Sequence, residues 1–328
     1  MKKTLAAILC MLQLSFLFAC GAPAQDANTD EETEVIWQEG SELELPADSM
    51  EVPLAAAPVP TTLMPEASGV KVYSNQNAAV DASHLDDGYI MVKYTGTSTA
   101  AKKVIVTGPS KVRYTYDLNS NGSYEVFPLS DGSGKYTVGI YQNVSGTKYS
   151  TVYSTFLDVA LKSEYAPFLL PNQYVNYTAD SAVVKKAAEL TAGETDTLKK
   201  IDKVYTYVIK NISYDTQKAK TVQSGYLPNV DAILSSGKGI CFDYAAVMTA
   251  MLRSQGIPTK LVVGYSGKAY HAWINTWSEE SGWVEGVIYF DGTTWKLMDP
   301  TYASSGNSSK AIMQYIGDGA NYTAKYLY

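Results

Sequence analysis

The sequence predicts an α+β protein in which C-terminal helices pack on an antiparallel sheet, preceded by an all-β sandwich and a disordered N-terminal tether. Three observations predict it. Short β-branched and aromatic runs, separated by turn dipeptides, fill residues 69 to about 160. Apolar residues at helical spacing begin near residue 180. A helix that is apolar nearly all round, 245–252, is followed by four more β runs. The chain divides into a targeting segment (1–19), a tether (20–68), a β domain (69–162) and an α+β domain (163–328).

The amino terminus opens with Lys2 and Lys3, followed by an apolar stretch from Leu5 to Phe18. It is too short and wrongly flanked for a spanning helix and reads as an export signal. Its end, Leu17-Phe18-Ala19-Cys20-Gly21, resembles the lipobox of bacterial lipoproteins. That resemblance implies cleavage before Cys20 and a diacylglyceryl thioether on its sulfur, anchoring the chain to the bacterial cell membrane and facing it outward. The alternative is ordinary secretory cleavage near Ala22 to Ala24. Either way the mature protein is exported, and Cys241 is its one thiol outside the lipidation site.

Residues 21 to about 68 hold eleven acidic side chains, no Lys or Arg, and six prolines. Such a segment cannot build a core and reads as a spacer or a plain solvated linker. It carries more negative charge than the whole chain's net −7, so the folded part is close to neutral. That removes the electrostatic case for nucleic-acid binding.

In the β domain, strands are expected at 70–73, 89–94, 103–107, 112–116, 124–127, 135–141 and 149–159. Asn121-Gly122, Asp131-Gly132 and Ser145-Gly146 supply turns. Six or seven strands at this spacing point to an immunoglobulin-like sandwich. His84, beside Leu85-Asp86-Asp87-Gly88, reads as a loop histidine.

In the second domain, Asp180 or Ser181 caps a helix that ends at Gly193, and Thr195 caps the next, whose apolar face is Leu198, Ile201, Val204, Tyr205, Val208 and Ile212. A short helix at 230–234 leads into Ser235-Ser236-Gly237-Lys238-Gly239, and the central helix stops at Gly256-Ile257-Pro258. Strands follow at 259–266, 270–277, 283–290 and 294–298, with a hairpin turn at Asp291-Gly292. The tail from Ala311 to Tyr328 carries no readable signal.

Cys241, His271 and Asp299 stand in three distinct settings: Gly-Ile-Cys-Phe-Asp-Tyr-Ala, His-Ala-Trp and Asp-Pro-Thr. A cysteine after a Gly-rich turn, at a helix start, gains thiolate stabilisation from the dipole and unpaired N–H groups. Those N–H groups can also hold an oxyanion. A histidine and an aspartate on neighbouring strands can supply the base and its orienting carboxylate. One Cys and one His in the C-terminal half make no zinc cluster, and no cofactor motif is present. Asp215, Asp243 and Asp291 read as isolated surface or loop acids, with Asp243 also placed to complement the helix dipole.

Together the three motifs resemble the transglutaminase-like superfamily, with support from Tyr214-Asp215, Gly256-Ile257-Pro258 and the run from Trp295 to Asp299. The likeness covers roughly residues 175–305. It implies a papain-like α+β core, with Cys241, His271 and Asp299 as the catalytic triad. It also implies a second oxyanion donor upstream of the cysteine; Tyr205, Tyr207 and Tyr214 are candidates, Tyr214 foremost. The expected function is attack on a protein or peptide amide at the cell envelope to form an acyl thioester, resolved by water or by a primary amine. The alternative is a non-catalytic surface lipoprotein that binds a wall glycan or protein through its β domain. Substrate identity and oligomeric state are not legible.

Overall fold

The computed structural model describes residues 62–279, 282–284, 288–290, 295–297 and 321–328. The targeting segment, Cys20, the tether up to residue 61, the Asp291-Gly292 turn and Asp299 lie outside the described residues. Residues 62–68, read as the end of the tether, lie along the folded part. Thr62 bonds the carbonyl of Ser254, and the Glu66 backbone exchanges bonds with the Tyr89 hydroxyl.

Eight strands form two antiparallel sheets. The first has the order β1 (Val72–Ser74), β2 (Ala78–Asp81), β3 (Tyr89–Tyr94), β6 (Glu125–Pro128). The second has the order β5 (Arg113–Leu118), β4 (Lys102–Thr107), β7 (Gly134–Ser145), β8 (Lys148–Val159). In β4 burial alternates along the strand, the mark of a sheet with one face in the core. Val80, Ile90 and Val92 of the first sheet meet Val104, Val106, Val138 and Ile140 of the second in one core. Phe127 and Tyr116 join the sheets edge to face, with centroids 5.2 Å apart. In β3 the other face is covered too: Tyr89 and Met91 pack with Leu170 of the following connector. Tyr136 locks the turn before β7, its hydroxyl donating to the carbonyls of Leu129 and Gly132 and accepting from the Asp131 N–H.

After a 3-10 turn at Ala166–Phe168 come helices α1 (Ala182–Thr191), α2 (Thr197–Asn211), α3 (Thr216–Thr221), α4 (Val230–Ser236) and α5 (Cys241–Ser254). The cap of α2 is Asp196 rather than Thr195: its carboxylate accepts from the N–H groups of Leu198 and Lys199. Short parallel strands β9 (Ser213–Tyr214) and β10 (Lys238–Gly239) tie the end of α2 to the approach to α5. An antiparallel sheet then runs in the order β13 (Gly282–Val284), β12 (Ala269–Ser278), β11 (Thr259–Ser266), β16 (Tyr322–Leu327). β14 (Ile288–Phe290) and β15 (Trp295–Leu297) pair as a separate hairpin. Every residue of α5 except Phe242 is buried, by α1, α2 and α4 together with β11 and β12. An apolar helix without a polar face has no other stable place.

The two domains share a core. Tyr114 and Tyr116 of β5 meet Tyr328, with centroids 5.8 and 6.0 Å away, and Tyr174 lies 4.2 Å from Tyr328. Arg253, 1% exposed, crosses this junction. Its guanidinium donates to the carbonyls of Thr259, Leu170 and Tyr328. Burial lowers its pKa to about 10. It is a charged staple joining the connector, β11 and the last strand.

Burial raises the tyrosine pKa values at this junction: Tyr114 and Tyr174 to about 12, and Tyr116 and Tyr328 further. The unfolded chain gives up these phenolic protons near pH 10, whereas the folded chain retains them. Stability is therefore fully present below pH 10 and is lost as pH rises from 10 through 12. Each such tyrosine removes up to about 1.4 kcal/mol per pH unit. Urea midpoints measured between pH 8 and 12 are expected to stay level to about pH 10 and then fall steeply. A level curve to pH 12 would contradict the packing.

Candidate active site

The site is built on the first turn of α5. Helix α4 ends at Gly237, whose φ of +60° is the left-handed conformation that closes a helix. The chain then runs through β10. There the carbonyls of Gly237 and Gly239 accept from Ser213 N–H and Asp215 N–H, both at 2.9 Å. α5 starts at Cys241, which is buried and forms no disulfide. Its N–H and that of Phe242 belong to the first turn, where no earlier helical carbonyl is available.

Asp243 departs from its sequence-based expectation. It is not a surface or loop acid but is fully buried. Its carboxylate accepts from the N–H of Ile240 at 2.9 Å, half of a capping box, and so does complement the helix terminus. Lys218 Nζ lies 2.5 Å from one oxygen, and the Tyr226 hydroxyl donates to the other at 2.7 Å. A buried carboxylate needs such partners, and here it has them on both oxygens. Asp215 likewise has a task, capping α3 through the N–H of Lys218.

His271 sits in β12, opposite Gly264 of β11, and is 2% exposed. Ala272 and Ile274 join the core beneath α5, whereas His271 and Trp273 take the alternate positions. Their rings stack 6.4 Å apart, and Tyr322 lies against both, 6.5 and 5.1 Å away. The preceding residue, Tyr270, is partly buried against the core that includes Cys241. Burial first, and then nearby groups including the thiol, raise its pKa well above the usual tyrosine value. Cys241 thus lies on α5 and His271 on β12, which packs against that helix. Asp299 lies outside the described residues.

Of the oxyanion candidates, Tyr214 pairs in register with Gly239, two residues before Cys241. Tyr205 is buried on α2. Tyr207 faces Lys186, whose ammonium lies 5.7 Å from its ring centre. His84 behaves as a loop residue, stacked on Tyr89 with Nδ1 3.0 Å from Asp87.

Residues 184–286, which include Cys241 and His271, match the family model of the transglutaminase-like superfamily. This segment is therefore similar to the transglutaminase-like superfamily. The uncharacterized protein YebA of Bacillus subtilis is 25% identical over 192 residues, covering 51% of this chain and 26% of that protein. The protein-glutamine gamma-glutamyltransferase of Pseudomonas aeruginosa is 30% identical over 86 residues, 22% of this chain and 11% of that enzyme. The chain thus spans about a quarter or less of the length of these curated relatives. Among solved structures, a Cytophaga hutchinsonii protein described provisionally as a cysteine protease aligns over 79% of this chain and 74% of its own, with 13% identity and a TM-score of 0.36. Red sea bream transglutaminase aligns over 70% of this chain and 53% of its own, with 13% identity and a TM-score of 0.27.

Sequence reasoning missed three contributors to this region: Tyr270 on β12, and Lys218 and Tyr226 around Asp243. Tyr270 could have been found as the residue preceding the histidine motif on the same strand. The other two carry no spacing signal. Gly264 was also unremarked. A Cβ there would meet the Thr323 carbonyl oxygen of β16 at 2.0 Å and the Trp273 ring at 2.9 Å. Gly264→Ala must therefore open the β11–β16 pairing or displace the ring stacked on His271. The expected loss is about 3 kcal/mol, at the upper end of overpacking costs. Chemical denaturation checks it, and an unchanged midpoint would refute this reading of the sheet.

Proposed function

We propose that the protein is an enzyme of thiol-dependent acyl transfer, with Cys241 as nucleophile, His271 as acid–base and Asp299 as the group that orients the imidazole. The Cys241 thiolate adds to an amide carbonyl, the C–N bond breaks, and His271 delivers its proton to the departing amine, leaving an acyl thioester. Water then regenerates the thiol and releases an acid. A primary amine instead forms a new amide, the transfer named for the Pseudomonas aeruginosa relative.

The observations that support this reading are Cys241 as the first residue of α5 and His271 on β12, a strand that packs against the same helix. There the first-turn N–H groups can hold the oxyanion, and Tyr214 beside Gly239 is the proposed second donor. His271 stands two residues from the hairpin end of β12, and the proposed proton transfer takes place round that rim of the sheet. Substrates are proposed to be proteins or peptides at the cell envelope, met by an enzyme anchored through Cys20 and held off the membrane by the acidic tether.

The test incubates the full chain with an amide-bearing protein and a labelled primary amine. Cys241→Ala is expected to abolish turnover, and His271→Ala to lower it by about 10²–10⁴. Label incorporation that is lost in Cys241→Ala identifies amine transfer, and cleavage that is lost identifies hydrolysis. Turnover that survives the substitution would refute the nucleophile.

A further inference from the structure

The environment of Asp243 leads beyond the triad. Three segments converge on it. Its own helix start contributes the Ile240 N–H, α3 contributes Lys218, and the loop after α3 contributes Tyr226. Lys218 also donates to the Tyr226 hydroxyl at 2.7 Å, which closes a three-membered ring of hydrogen bonds. The placement is built. Asp215 binds the Gly239 carbonyl through its backbone and caps α3 with its side chain, so α3 hangs from the strand that leads to Cys241. Gly239 has no Cβ where one would stand 2.7 Å from Asp243 Cβ. The Tyr226 ring also meets that of Phe242, the residue after Cys241, with centroids 6.4 Å apart.

A surface helix cap would leave its carboxylate to water. This one is fully buried, while Lys218 keeps a quarter of its side-chain surface exposed. Among the described residues, the titratable groups at the first turn include Cys241 and Asp243 themselves, Lys218 from α3, Tyr226 from its loop, Tyr174 from the connector against Phe242 and Tyr214 from β9 beside Gly239, while Tyr270 and His271 lie on β12, which packs against α5. Without Lys218, a buried negative charge would stand two residues from the reacting sulfur and oppose its ionisation.

We propose that Lys218 and Tyr226 are positioning residues that act through Asp243, fixing the Gly239–Ile240–Cys241 backbone as an oxyanion site and neutralising the carboxylate beside the thiolate. The inference rests on the reading of Cys241 as nucleophile. Burial and the bond to Asp243 also raise the Tyr226 pKa, so the hydroxyl stays protonated as the donor.

The experiment measures iodoacetamide alkylation of Cys241 against pH, with no substrate required, in the full chain and in Lys218→Met, Lys218→Arg, Tyr226→Phe, Asp243→Asn and the Lys218→Met/Asp243→Asn double variant. Lys218→Met is expected to raise the apparent thiol pKa by about one unit and Tyr226→Phe by less, with Lys218→Arg close to wild type. In the Asp243→Asn background Lys218→Met should shift nothing further, because its effect passes through that carboxylate. With an amide substrate, kcat should fall while KM holds. Tyr226→Phe removes one hydroxyl and little volume, so it remains readable if Lys218→Met fails to fold. If the variants lower the melting temperature yet superimpose on the wild-type pH profile, the network is merely structural and the inference is overturned. If the wild-type thiol itself titrates near the ordinary value of about 8.5, the nucleophile reading fails, and this inference with it.

Discussion

Burying the start of a helix is the constraint from which the rest of this structure follows. Helix α5 is buried along its length except at Phe242, so its first turn lies in the interior, where a helix terminus needs acceptors from outside the helix. Asp243 answers part of that demand by binding the Ile240 N–H, and its own charge must then be met by Lys218 and Tyr226. Cys241 opens the same turn, where an oxyanion would be held in the proposed chemistry. Fold and proposed function thus meet at one place, the buried start of α5.

The β domain is bound into that arrangement. Tyr174 bonds the Thr115 carbonyl of β5 and packs on Phe242, one residue past the cysteine. Tyr328 joins the same cluster, and Arg253 draws the connector, β11 and the last strand together at the far end of α5. Both ends of the central helix thus touch groups that belong to, or lead from, the sandwich. A change in the sandwich at β5 has a physical route to the first turn of α5.

Much of this was legible in the sequence because periodicity and turn chemistry carry it. The alternation of β4, the start of α1 after Ser181 and the stop at Gly256 were each expected from local pattern. What was not legible has equally physical reasons. β2, Ala-Ala-Val-Asp, lacks β-branched alternation and is a strand because its neighbours pair with it. At six residues α3 is too short to show a period. β16 lay in a tail that looked featureless, yet it pairs with β11 beside Gly264. Asp243 was read correctly as a partner of the helix terminus but wrongly as exposed, because Lys218 and Tyr226 reach it from 25 and 17 residues away. No spacing rule announces such a convergence. For the candidate site, the expected helix start at Cys241 and the expected strand at His271 are both present, and Asp299 lies outside the described residues.

The central claim is that Cys241 forms an acyl thioester, and intact-mass spectrometry tests it most directly. The full chain is mixed with an activated acyl ester, quenched in acid within one turnover, and compared with Cys241→Ala. The account predicts an added acyl mass that maps to Cys241, is released by hydroxylamine, and is absent from the variant. An adduct of equal yield in Cys241→Ala, or none in the wild type under conditions in which the ester is consumed, would contradict it.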